Sequence, residues 1–95
     1  MVTLLIQHPV SDLRVWRTAF DRFAEARERA GVRAQRLRRP DDDAGYVVVE
    51  LDFDSVAEAT GFREFLRTRV WTDPAASPAL AGEPRADVLV PIAPA

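Results

Sequence analysis

The chain has no cysteine, no lysine and no asparagine, and it has a single histidine. Without cysteine there are no disulfides, no thiolate metal sites and no thiol nucleophile. Without lysine there is no Schiff-base chemistry on an amine side chain and no lysine-dependent phosphate loop. One histidine is too few to begin a zinc site, so no metal is expected. Glycine-rich phosphate loops, dinucleotide fingerprints and the G-x-S-x-G elbow are missing too. No cofactor is therefore expected, and Ser11, Ser55 and Ser77 read as caps or loop residues. No apolar run approaches a membrane span, and no secretory leader or cleavage pattern follows Met1. The expectation is a cytoplasmic protein that does not enter the membrane.

What remains is an ordinary folding composition, 47% hydrophobic and 29% charged over 95 residues, enough for one domain spanning 1–95. A chain this small leaves much surface uncovered, and association is a natural way to bury more of it. All 13 basic residues are arginine. They are distributed unevenly: the first forty residues are basic overall and the remainder acidic. Complementary surfaces within one fold account for this as well as a nucleic-acid partner would. The tract Arg27, Arg29, Arg33, Arg36, Arg38 and Arg39 has no aromatic residue interleaved for base stacking, so it is expected to be solvated or ion-paired, with no nucleic acid bound.

Hydrophobic periodicity divides the chain into six elements. Val2 to His8 is short, apolar and β-rich, and Pro9 stops it. A helix is expected from Ser11 or Asp12 to about Ala30, with Gly31 as its stop. Its apolar stripe is Leu13, Trp16, Phe20, Phe23 and Ala24. Val32 to Arg39 is a polar strand, Pro40 to Gly45 a turn, and Tyr46 to Phe53 a second apolar strand. A second helix opens on Ser55 and Glu58, which fit a capping box, and carries apolar positions as far as Val70. A long Pro/Ala-rich segment, 71–85, then leads to a last strand of about Ala86 to Ile92, where Pro91 marks an edge.

The order βαββαβ with right-handed crossovers predicts an α+β, ferredoxin-like fold, a four-stranded antiparallel sheet with the first and third strands central. Two helices cover one face only. Val2, Leu4, Ile6 and His8 share a face of the first strand, and Val47, Val49, Leu51 and Phe53 share a face of the third. Leu5, Tyr46 and Val48 then lie on the other side and need a cover, which a second copy of the sheet would supply. A homodimer is the expectation.

Three stretches carry a family resemblance over nearly the whole chain. They are the H-x-V-x-D-x-x-x-W start (His8 to Trp16), the R-x-x-x-G-V end of the first helix (Arg27 to Val32), and the D-F-D-S turn into the second helix. With these the chain resembles the dimeric α+β-barrel superfamily of antibiotic biosynthesis monooxygenases and its small uncharacterised bacterial members. The resemblance implies a dimeric barrel with a pocket between sheet and helices. Some members of that superfamily oxidise polycyclic phenols to quinones with O2 and no cofactor. The haem-degrading members use a helical His with Asn and Trp, and this chain departs from them in having no Asn and its one His on a strand.

Topology gathers His8, Trp16, Tyr46, Trp71 and the Asp41–Asp43 turn at one end of the fold. His8 is either a strand-terminal imidazole bonded to backbone or a carboxylate, or a general base beside an aromatic pocket. The second reading makes Trp16, Phe20, Tyr46, Phe62 and Trp71 the pocket lining for a small aromatic or polyketide-like ligand. The Asp41–Asp43 turn would raise the His8 pKa and the first helix's N-terminus would lower it. A cavity of a few hundred cubic ångströms beside His8 would favour a site, and a filled core would leave only the dimer. Gly61, inside the second helix, implies either close packing or room for a ligand beside Phe62.

Overall fold

Two eight-residue strands carry the architecture. In the computed structural model, which describes residues 1–93, β1 (Val2–Pro9) and β3 (Tyr46–Phe53) pair antiparallel along their whole length, from Val2 opposite Phe53 to Pro9 opposite Tyr46. Their side chains alternate strictly between buried and half-buried, as period-2 geometry requires when only one face is covered. Leu4, Val49, Leu51 and Phe53 lie almost wholly out of solvent on the helix side. Each such side chain contributes about 1.5–3 kcal/mol by burial.

The edges are β2 (Ala34–Arg38) beside β3 and β4 (Arg85–Leu89) beside β1, giving the order β2-β3-β1-β4. The expected topology is therefore the observed one. Both edge strands are shorter than expected, and Pro91 falls beyond β4. Arginine on β2 and the proline after β4 fit edges that resist further pairing.

The first helix is two helices, not one. α1 (Leu13–Asp21) starts from Asp12, whose carboxylate accepts the Val15 N–H at 3.1 Å. It ends in a tightened turn, with the Arg22 and Phe23 N–H groups donating three residues back to Ala19 and Phe20. α2 (Ala24–Ala30) then begins afresh and stops at Gly31, which takes the left-handed conformation at φ 97°. The Arg27 guanidinium donates to the Phe20 carbonyl at 2.7 Å across this break. It gives that carbonyl a second donor beside the Phe23 N–H, pinning the broken turn to α2.

α3 (Val56–Phe65) is capped by Ser55, which accepts the Glu58 N–H, and runs into a π-helical turn over Leu66–Val70. Trp71 closes that turn by donating its N–H to the Leu66 carbonyl at 2.8 Å. The wider turn brings the chain five residues on back beneath Leu66, so Leu66, Val70 and Trp71 all face the sheet side. Gly61 lies on the outside of α3. A Cβ placed there meets nothing within 4 Å, so close packing does not explain it; with Phe62 it lines an open groove facing α2.

The two glycines make a matched test. Gly31→Ala forces an L side chain into the left-handed region against the Glu58 carboxylate and is expected to cost about 1–2 kcal/mol. Gly61→Ala fills open space on a helix and is expected to stabilise by about 0.5–1 kcal/mol. Urea denaturation reads both, and shifts of the same sign would contradict the placement.

Candidate functional site

Between the helix layer and the sheet is a cavity of about 70 Å³. Its floor is Ile6, His8, Val49 and Leu51 from the two central strands. α1 contributes Trp16, Ala19 and Phe20, and Phe23 and Arg27 follow along the same side. Phe62, Leu66, Val70 and Trp71 close it from α3 and the π-helical turn. Ala76 to Leu80 form the remaining wall, in the long segment before β4. This volume lies between the two outcomes the sequence posed. It is well below the roughly 300–1,000 Å³ of a typical small-molecule pocket, yet the core is not filled.

The wall is tied down by polar contacts. Ser77 Oγ donates to the Val70 carbonyl at 2.8 Å, and the Asp73 carboxylate accepts the Ala75 N–H at 2.9 Å. Ser11 donates its N–H to the Ala79 carbonyl, and Val10 bridges to Leu80, extending β1 past Pro9. A larger occupant of the cavity has to displace this segment.

His8 is 4% exposed. Its Nδ1 lies 2.9 Å from the Pro9 carbonyl oxygen. A carbonyl can only accept, so Nδ1 carries the proton, and in the neutral ring Nε2 is left with a lone pair. Nε2 has no hydrogen-bond partner among the described residues and keeps a small accessible surface. Burial pushes the His8 pKa below its ordinary 6.5, opposed by the Pro9 carbonyl. The Asp41–Asp43 turn does not act on it, and desolvation is the largest influence. The Trp16 ring meets His8 edge-on at 6.3 Å and stacks obliquely on Phe20 at 5.1 Å.

Of the candidate residues, the structure brings His8, Trp16, Phe20, Phe62 and Trp71 to one cavity. Tyr46 is the exception. It is adjacent to His8 in the β1–β3 ladder, opposite Pro9, but strand alternation turns it to the open face of the sheet. Tyr46 is therefore close to His8 along the ladder but does not line this cavity. The Asp41–Asp43 turn is closed on itself, with the Asp43 carboxylate accepting the Gly45 N–H at 2.8 Å. Among the described residues no group of three or more His, Cys, Asp or Glu is placed to hold a metal ion.

Arg27 is the residue that the sequence reading missed. It was grouped with the solvated arginine tract, but it is 6% exposed, with its guanidinium carbon 3.7 Å from the centre of the Phe20 ring. Nε donates to Gln35 Oε1 at 3.1 Å and Nη1 to the Phe20 carbonyl. The signal was its spacing: position 27 continues the stripe of 16, 20 and 23 at helical intervals. The other tract members behave as expected. Arg29 pairs with Glu25, Arg33 with Asp54, Arg36 with Asp52, and Arg38 with Glu50.

A four-stranded antiparallel sheet backed by helices on one face, with a cavity between the layers, defines a ferredoxin-like α+β protein. No family model and no curated protein matches the sequence. Solved structures do match the fold over almost its full length. The chain is similar to the crystal structure of an antibiotic biosynthesis monooxygenase (12% identity, 98% of this chain and 100% of that one, TM-score 0.69). It is also similar to a putative antibiotic biosynthesis monooxygenase from Nitrosomonas europaea (16% identity, 98% and 100%, TM-score 0.72). A third likeness is to a dimeric ferredoxin-like protein from an uncultured marine organism (10% identity, 97% of each chain, TM-score 0.65). These likenesses show a shared fold, a ferredoxin-like α+β sheet backed by helices.

The buried imidazole gives a pH signature. Between its lowered folded pKa and the ordinary 6.5, the unfolded chain holds a proton that the folded chain does not. His8 therefore makes no demand on stability above 6.5, and stability falls as the pH drops from there toward the folded value. The melting temperature of the wild type is expected to decline more steeply than that of His8→Gln between about pH 6.5 and pH 5. Parallel curves would show that His8 titrates as it does in water.

Proposed function

We propose that this protein is a homodimeric α+β barrel acting as a cofactor-independent oxygenase-like enzyme on a small aromatic or polyketide-like substrate. The observation that carries the reading is the neutral His8, with its Nε2 lone pair free, at a cavity walled by Trp16, Phe20, Phe62 and Trp71. A base kept neutral by burial accepts a proton from an acidic phenol O–H at pH values where an exposed imidazole would be partly charged. The resulting anion is electron-rich and able to reduce O2. One O2 is consumed for each quinone formed: one oxygen atom becomes the new carbonyl, and the other leaves as water with the single hydrogen of that ring carbon and the proton of the phenol O–H. The aromatic walls hold a planar ring and exclude bulk water.

The small cavity supports a second reading, a non-catalytic dimer that binds a small ligand without transforming it. The two part on one assay. Aromatic hydroxy-compounds are screened for O2 uptake, with His8→Ala as control. The enzyme reading expects uptake with at least one substrate and a loss of about 10²–10⁴-fold in the variant. Ligand binding without O2 uptake would favour the second reading, and unchanged uptake in His8→Ala would remove His8 as the base.

Support for the dimer comes from the uncovered sheet face and from the similar protein described as dimeric. Leu5, Val48 and Tyr46 are half-buried there with no helix over them. A stable interface buries about 800 Å² per partner, which a sheet face of this size can supply. Light scattering at micromolar concentration is expected to give the dimer mass, and Leu5→Asp with Val48→Asp the monomer mass. A wild-type monomer would refute the assembly.

A further inference from the structure

Among the described residues Arg27 is the one charged group lining the cavity, since the other lining residues are apolar apart from Ser77 and the neutral His8. Every other arginine paired above has a carboxylate within 4 Å, whereas Arg27 has none among the described residues. Asp21 and Arg17 act on it with opposite sign, and those two pair with each other on the exposed surface of α1. Two of its nitrogens are used, Nε on Gln35 and Nη1 on the Phe20 carbonyl, and Nη2 has no acceptor among the described residues. The Phe20 ring beneath the guanidinium fixes its plane.

A guanidinium does not escape burial by losing its proton. It is held here by neutral acceptors and a π face, in surroundings where attraction to an anion is strengthened by low polarity. Resting on the cavity reading above, we propose that the cavity binds a planar organic anion, a carboxylate or ionised phenol, whose negative oxygen pairs with the Arg27 guanidinium while its ring lies against Phe20 and Phe62. The charge on Arg27 then selects which apolar molecules enter. In the oxygenase reading the same charge favours the phenolate left when His8 takes the proton. Arg27 is a binding and positioning group, and the proton transfer remains with His8.

Calorimetry with the intact protein, using benzoate against benzamide, tests this without any variant. The two probes have the same shape and differ in charge. Benzoate is expected to bind at least about tenfold more tightly, with the preference weakening as salt is added. In a second arm, 4-nitrophenol is titrated by its absorbance; bound to the protein it is expected to ionise at lower pH than when free. Arg27→Met should abolish both effects, and Arg27→Lys should retain part of them. Where Arg27→Met does not fold, the wild-type comparison and Arg27→Lys decide. Equal binding of benzoate and benzamide to the wild type would overturn the anion proposal and leave the cavity reading standing. Binding of none of the three probes would overturn both.

Discussion

The eight-residue pairing of β1 with β3 is the constraint on which the rest depends. It aligns two strictly alternating strands so that every apolar odd-numbered position of β3 and even-numbered position of β1 faces the helices. A slip of β3 by one residue would turn its set over, exposing Val49 and Leu51 and burying Glu50 and Asp52 against the helices. The same register puts His8 opposite Val47, at the end of the buried row. His8 is in the core because it occupies the next position in an apolar series, and its burial, tautomer and lowered pKa all follow from that place.

A core accepts a polar group on terms set by that group's chemistry. Imidazole sheds its charge cheaply, so His8 needs only one acceptor, and Pro9 supplies it from the neighbouring residue. Guanidinium does not, and Arg27 is therefore surrounded by the Phe20 carbonyl, the Gln35 amide oxygen and the Phe20 ring. These contacts also mark where α1 breaks from α2. The break and the buried arginine are thus one feature: the irregular turn presents the acceptor, and the side chain satisfies it. On the opposite wall the π-helical turn serves a related purpose, setting Trp71 back beneath Leu66.

The sheet order, the two faces and most of the cavity lining were legible because they rest on periodicity, which survives in a single sequence. What was not legible required knowledge of where carbonyl groups point. The stripe through Trp16, Phe20 and Phe23 runs unbroken to Arg27, so periodicity alone predicts one long helix, and only the Phe20 carbonyl reveals the turn. Arg27 was hidden for another reason: five further arginines within twelve residues drew it into a solvated tract. Tyr46 was misassigned because closeness along a ladder was given more weight than the pleat. Gly61 sits beside open space, not a packed neighbour, and spacing alone does not separate those two settings.

The uneven charge of the two halves of the chain finds its account on the open face of the sheet. Arg36 and Arg38 on β2 meet Asp52 and Glu50 on β3, with Arg36 making two bonds to Asp52 at 2.8 and 2.9 Å. Thr3 on β1 donates to the same carboxylate at 2.7 Å. The Arg36 guanidinium holds the Asp52 carboxyl below the usual carboxylate range. In water such exposed pairs contribute little to stability. Their consequence appears if the face is covered: charges that already satisfy one another lose less on leaving water than unpaired ones would. Leu5 and Val48 supply the apolar surface, and the ladder beside them keeps its partners within the chain. Basic residues of the first half and acidic residues of the second thus meet on neighbouring strands of one face, already matched before any second surface arrives.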